Sequence, residues 1–164
     1  MNHPTDAHKS GFLISPLPLE DFSPLFQLTD AELRSRGMKR VVADSKPGFP
    51  CRVSLDDAEV GEALILLPYE HHPVQGPYRS SGPIFVRENA TPAVLGVNEV
   101  PGYVRERYLS VRAYDDNGMM VRAEVTRGMD LASCVSRLFA EGRTRYLHVH
   151  NARPGCYAFR VDRA

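Results

Sequence analysis

The chain has no long apolar run, no excess of charge of either sign and few cysteines, and each shortage removes a class of protein. Its longest strongly apolar stretch, Ala63 to Leu67, is far too short to span a bilayer as a helix, so no membrane partner is expected. Twenty basic residues against 20 acidic ones leave a net charge of zero and a pI near 7.0. A nucleic-acid binder would carry a basic footprint, so that partner is not expected either. Three cysteines make no even-numbered disulfide framework and suit a reducing compartment. Met1 to Asp6 lacks the charged-then-apolar pattern of a secretory leader, and the expectation is a cytoplasmic protein. Lysine is scarce, being confined to Lys9, Lys39 and Lys46, but codon usage explains that as well as chemistry does. Cys-x-x-Cys and His-Glu-x-x-His are both missing, so no metal site is diagnosed by spacing.

What remains is an ordinary globular composition, 43% hydrophobic and 24% charged over 164 residues, long enough to bury a core. Polar, aperiodic Met1 to Ser10 reads as a disordered tail and residues 11–164 as one domain. Gly11 to Leu19, punctuated by Pro16 and Pro18, reads as an edge strand. Thr29-Asp30-Ala31-Glu32 is a capping box, with Gly37 placed to stop the helix. Lys39 to Asp44 and Cys51 to Leu55 read as short strands around a Pro47-Gly48-Phe49-Pro50 turn, and Ala63 to Tyr69 as a buried strand. Glu70 to Gly82 has no periodicity and carries His71, His72, Tyr78 and Arg79; loops of that length are often functional. Asp130 is placed to cap a helix whose apolar positions Leu131, Cys134, Val135, Leu138 and Phe139 follow the helical period. Strands follow strands rather than helices. The expected fold is therefore α+β: a mainly antiparallel, strongly bent or partly closed barrel-like sheet with two short helices against it.

Two hairpins carry register predictions. Tyr108 to Tyr114 and Met119 to Thr126 flank Asp116-Asn117-Gly118, a three-residue loop that suits a left-handed glycine. That loop pairs Ala113 with Val121, Val111 with Ala123 and Leu109 with Val125, and places Arg112 opposite Arg122. The two-residue alternative would set Ala113 opposite Arg122. The terminal segment reads Tyr146-Leu147-His148-Val149-His150, then a turn over Asn151 to Gly155, then Cys156-Tyr157-Ala158-Phe159. Setting Val149 opposite Tyr157 aligns Leu147 with Phe159, His150 with Cys156, His148 with Ala158 and Tyr146 with Arg160. One face is then apolar, and the other holds two imidazoles, a thiol, a phenol and a guanidinium.

Three ordered segments carry a family resemblance: Pro47-Gly48-Phe49-Pro50-Cys51-Arg52-Val53-Ser54-Leu55; Pro77-Tyr78-Arg79-Ser80-Ser81-Gly82-Pro83-Ile84-Phe85-Val86-Arg87; and Leu147-His148-Val149-His150-Asn151-Ala152 followed by Gly155-Cys156-Tyr157. With them the chain from about Gly11 to Arg163 resembles a bacterial family catalogued as domain of unknown function 1203. The resemblance implies a small stand-alone domain and brings no activity, cofactor or catalytic residue.

The residues themselves support several chemistries. His148 and His150 share a strand face and can offer two nitrogens to a divalent transition metal, with Cys156, Cys51, His71 or His72 as a third ligand. Cys156 opposite His150 has the arrangement of a thiol and its base, and Arg160 would favour the thiolate; both are candidate catalytic residues. Arg112 opposite Arg122 invites an acidic neighbour such as Glu124 or Asp115, or a bound carboxylate or phosphate. Taken together, Tyr78, Arg79, Arg112, Arg122, Tyr146, His148 and His150 suggest a pocket for a small anionic molecule, the leading expectation. A metal-dependent enzyme using His148 and His150, or a cysteine enzyme using Cys156 and His150, is the alternative, and an edge strand leaves room for a homodimer. Asp56, Asp57, Glu59 and Glu62 read as a helix start or a solvated turn, and Ser80-Ser81-Gly82 lacks phosphate-loop spacing.

Overall fold

The computed structural model describes residues 11–164; the expectation of a disordered tail lies outside them. Among the described residues ten strands form two sheets. The first has the order β1 (Phe12–Ser15), β10 (Tyr157–Arg163), β9 (Tyr146–Asn151), β7 (Tyr108–Tyr114), β8 (Met120–Arg127). The second has the order β2 (Lys39–Val42), β5 (Ala63–His72), β6 (Ser80–Arg87), β3 (Pro50–Cys51), β4 (Asp56–Asp57). Every pairing is antiparallel except β3 with β6. The α+β class holds, with two α-helices among the described residues. The barrel-like closure does not, because each sheet ends in two open edges. Residues 88–107 explain why: this Pro- and Gly-punctuated connection runs from β6 to β7 without joining a ladder, so the sheets never meet edge to edge.

Helix α1 (Asp30–Ser35) starts as its sequence dictates. The Glu32 amide donates to the Thr29 hydroxyl and the Thr29 amide to the Glu32 carboxylate, while Gly37 takes φ +72 beyond the end. Helix α2 (Leu131–Ala140) buries Leu131, Cys134, Val135, Leu138 and Phe139, its whole apolar stripe. They pack on Leu109, Val111, Ala113, Leu147, Val149, Phe159 and Val161 of the first sheet, and each fully buried side chain of this size contributes about 1.5–3 kcal/mol. Asp130 stands at the N-cap of α2, but its side chain makes no cap bond; a short 3₁₀ turn, Gly128–Asp130, leads in instead. A second core gathers Leu17, Phe22, Ile65, Leu67, Ile84 and Val86, and Tyr157 of β10 joins it, so the two sheets meet there. No described helix is long and apolar enough to cross a membrane.

Both hairpin registers differ from those expected, each through a bulge. The Asp116–Gly118 loop is as anticipated: the Asp115 amide donates to Met119, and Gly118 has φ +72. A shift beside Ala113 then moves the ladder by one residue, setting Ala113 opposite Arg122 and Arg112 opposite Ala123. That removes the repulsion of directly opposed guanidinium groups and puts Val125 outside, 70% exposed. In the terminal hairpin His150 pairs with Tyr157; after an irregularity at Ala158, Val149 pairs with Phe159, His148 with Arg160 and Leu147 with Val161. Ala158 and Phe159 both enter the α2-side core, so Tyr157 is released to the opposite, histidine-bearing side, not the apolar face foreseen for it.

Candidate functional site

The β7–β9 ladder sets the floor of the site. Ser110 opposes His150, Arg112 opposes His148 and Tyr114 opposes Tyr146, so one face of the sheet carries a block of polar and aromatic side chains. Leu109, Val111, Ala113, Leu147 and Val149 alternate with them into the α2 core, which holds the block in place. His148 and His150 are buried, 2% and 1% exposed. The cover comes from the far end of β5, which extends three residues further than its apolar run suggested. Beyond Tyr69 the β5–β6 pairing slips, Tyr69 opposing Gly82 and His72 opposing Ser80. The bulge turns two consecutive side chains toward the first sheet, where a regular strand would send one away. His71 meets His148 and His150 edge-on, at centroid distances of 6.0 and 4.9 Å, while His72 packs on Tyr114 at 4.2 Å.

The two neighbours do different work. His72 has both nitrogens engaged: Nδ1 donates to the Tyr78 carbonyl (2.8 Å) and Nε2 accepts from the Tyr146 hydroxyl (2.6 Å). It ties the β5–β6 turn to β9 and has no lone pair to spare. His71, His148 and His150 each keep one. One ring nitrogen of each lies within 4.8 Å of the other two, the group among the described residues with the donors to hold a metal ion. Nitrogens around one zinc at about 2.1 Å stand roughly 3.4 Å apart, so modest ring rotations close the cluster on an ion. His150 is already oriented for this. Its Nδ1 donates to the Gly155 carbonyl at 2.9 Å, which fixes the tautomer that leaves Nε2 unprotonated. Nδ1 of His71 and of His148 are buried with no hydrogen-bond partner, an arrangement native proteins rarely tolerate without a use.

Electrostatics keep the three rings neutral. Burial pulls His148 down to about 2, the other three histidines adding to the effect. Burial, then Arg112 and His72, brings His71 to about 4. Burial also brings His150 to about 4, with Arg112 assisting and the Gly155 hydrogen bond opposing. At neutral pH none of them must lose a proton before binding a metal. Arg112 reaches the cluster, its Nη1 lying 3.5 Å from His150 Nε2. That contact is at the long limit of a hydrogen bond, so releasing it costs little.

The structure sorts the remaining candidates. Tyr146 stacks on Tyr114 (5.4 Å, 20°), carries Arg160 over its ring at 4.1 Å and belongs to the site. Tyr78 reaches it through Tyr114 and its own carbonyl. Arg79 is exposed and paired with Glu70. Arg122 lies on the α2 side of the sheet, bound to Glu124 and Glu141, so the acidic neighbour foreseen for the arginines is found away from the histidines. Cys156 does not face His150. Its sulphur accepts from Arg52 Nη2 (3.2 Å) and Asn151 Nδ2 (3.4 Å). No spacing in the sequence links Arg52 and Asn151 to Cys156, although Arg52 stands beside Cys51 in the first family-like segment and Asn151 directly follows His150.

Residues 48–163 match the model of a family described as a protein of unknown function, DUF1203. The chain belongs to that family. The matched span takes in His71, His148, His150 and Cys156 with its partners Arg52 and Asn151. No curated protein and no solved structure matches the chain.

Proposed function

We propose that this protein binds a divalent transition metal, of the zinc class, through His71, His148 and His150, and that the metal takes a small anionic ligand beside Arg112. The observation that carries the reading is the convergence of three neutral imidazoles, one held in its ligating tautomer by a backbone carbonyl. Three protein ligands are the number used by catalytic zinc sites, which leave a further position open. A guanidinium next to that position favours a negatively charged occupant. The proposal thus joins the anion pocket and the metal site that the sequence suggested separately. Three free thiols suit a reducing compartment, so a cytoplasmic location is part of the same proposal.

The test is metal binding by protein stripped with chelator. Titration with Co²⁺ or Zn²⁺ is expected to give one site per chain, with visible cobalt bands typical of nitrogen ligation. His148→Ala and His71→Ala should each abolish stoichiometric binding, whereas replacing His3 and His8 should not. Failure of Zn²⁺, Co²⁺, Ni²⁺ and Cu²⁺ to bind stoichiometrically, or binding that survives both substitutions, overturns the reading.

A further inference from the structure

A second site lies across β5–β6 from the histidines. Leu67, Tyr69 and His71 face the first sheet, whereas Leu66, Pro83 and Phe85 turn the other way and form the apolar wall of a cleft of about 500 Å³. The opposite wall is polar and contains Arg52, Arg107, Arg153, Asn151 and Cys156. The lining holds three arginines, of which Arg107 is paired with Asp57, and one carboxylate, Glu106.

Arg52 is 1% exposed, and no carboxylate pairs with it among the described residues. Its Nε and Nη1 donate to the carbonyls of Tyr157 and Pro50, and Nη2 donates to the Cys156 sulphur. A buried charge without a counter-charge is costly, and here the cleft and the sulphur are what it faces. Two further groups in the lining have unused hydrogen-bonding capacity. Asn151, 6% exposed, gives Nδ2 to the same sulphur and leaves Oδ1 buried without a partner. Arg107 donates Nη2 to Asp57 at 2.7 Å and keeps Nη1 buried and unpartnered. Two N–H donors, from Arg52 and Asn151, thus converge on the one sulphur.

We propose that this cleft binds a small carboxylate with an apolar body, whose charged end meets the arginines beside the Cys156 sulphur. The apolar wall receives the hydrocarbon, exposed Arg153 supplies donors to the carboxylate, and the uncompensated charge of Arg52 favours an anion. None of its residues belongs to the histidine triad, although Asn151 directly follows His150.

Alkylation reads the site directly. The Cys156 sulphur displaces iodide from the methylene carbon of the reagent; the C–S bond forms, the C–I bond breaks, iodide leaves with the electron pair and the thiol proton goes to buffer. Cys51 and Cys134 are buried and serve as internal controls. At pH 7 the ratio of iodoacetate to iodoacetamide rates at Cys156 is expected to be at least tenfold higher in the folded protein than in the urea-unfolded chain. Arg153→Gln, at an exposed position, should lower that ratio severalfold without loss of fold. Octanoate should slow reaction with iodoacetamide at least fivefold, and octanol at equal concentration should not. A folded-state ratio equal to that of the unfolded chain, or protection by octanol as strong as by octanoate, overturns the proposal.

Discussion

His71 and Tyr157 lie face to face, with ring centroids 5.3 Å apart and planes within 9°. Tyr157 also meets His148 and His150 edge-on, at 5.2 and 5.8 Å, so one phenol ring contacts all three imidazoles. It reaches them only because the β10 bulge takes it off the α2 face. Its ring therefore positions ligands contributed by two different sheets.

Removing that ring should loosen the triad while leaving its nitrogens in place. Tyr157→Phe keeps the ring and is expected to bind zinc within a fewfold of wild type. Tyr157→Leu should weaken zinc binding about 10- to 100-fold, the usual effect of losing a group that orients metal ligands. Isothermal titration of the two variants distinguishes them, and equal affinities would remove Tyr157 from this role.

Much of the fold was legible from local chemistry. The Thr29–Glu32 capping box, the stripe of α2 and the Asp116–Gly118 loop are each fixed by residues a few positions apart, and the structure reproduces them. Registers were not, because a bulge inserts one residue into a ladder without leaving a mark in composition. The slips at Ala113, Ala158 and Tyr69 each redirected a site residue: Arg122 to the α2 side, Tyr157 to the histidines, His71 and His72 onto the first sheet. His148 and His150 were readable as a pair from strand alternation. Their third partner was one of four candidates, since contacts between sheets depend on packing that no spacing encodes.

The metal-free protein should lose stability as pH falls from just above 6.5. In the unfolded chain the triad takes up protons near 6.5, whereas the folded state holds His71 and His150 neutral down to about 4 and His148 lower still. Between those limits the unfolded state binds more protons, so acid favours unfolding, and the full stability is present above about pH 7. Each well-buried imidazole contributes a slope of up to about 1.4 kcal/mol per pH unit, and partly buried His71 contributes less. Urea denaturation at pH 7.5, 6 and 5 measures it. His148→Leu should show a shallower dependence, and a flat profile for wild type would contradict the burial argument.

His72 predicts a contrast between stability and binding. His72→Ala breaks the bridge from the Tyr78 carbonyl to the Tyr146 hydroxyl and leaves both without their partner. A loss of about 1–3 kcal/mol in unfolding free energy is expected. Zinc stoichiometry should stay at one per chain, because His72 has no free nitrogen. Loss of metal at unchanged stability would make His72 a ligand and displace His71 from the triad.

Arg112 should oppose the metal and favour its anion. Its guanidinium approaches His150 Nε2, so a cation held by that nitrogen experiences its charge at close range. Arg112→Gln removes the repulsion and keeps a polar side chain of adequate length. Zinc affinity is expected to rise at least tenfold, about 1.4 kcal/mol. The same change removes the positive charge that would draw an anion to the remaining metal position. Azide or acetate added to the cobalt-loaded variant should perturb the visible bands only at concentrations at least tenfold higher than in wild type. The two shifts have opposite signs, and a general distortion of the site would weaken both. Parallel losses of zinc and anion binding would therefore assign Arg112 a structural role and remove the anion from the proposed function.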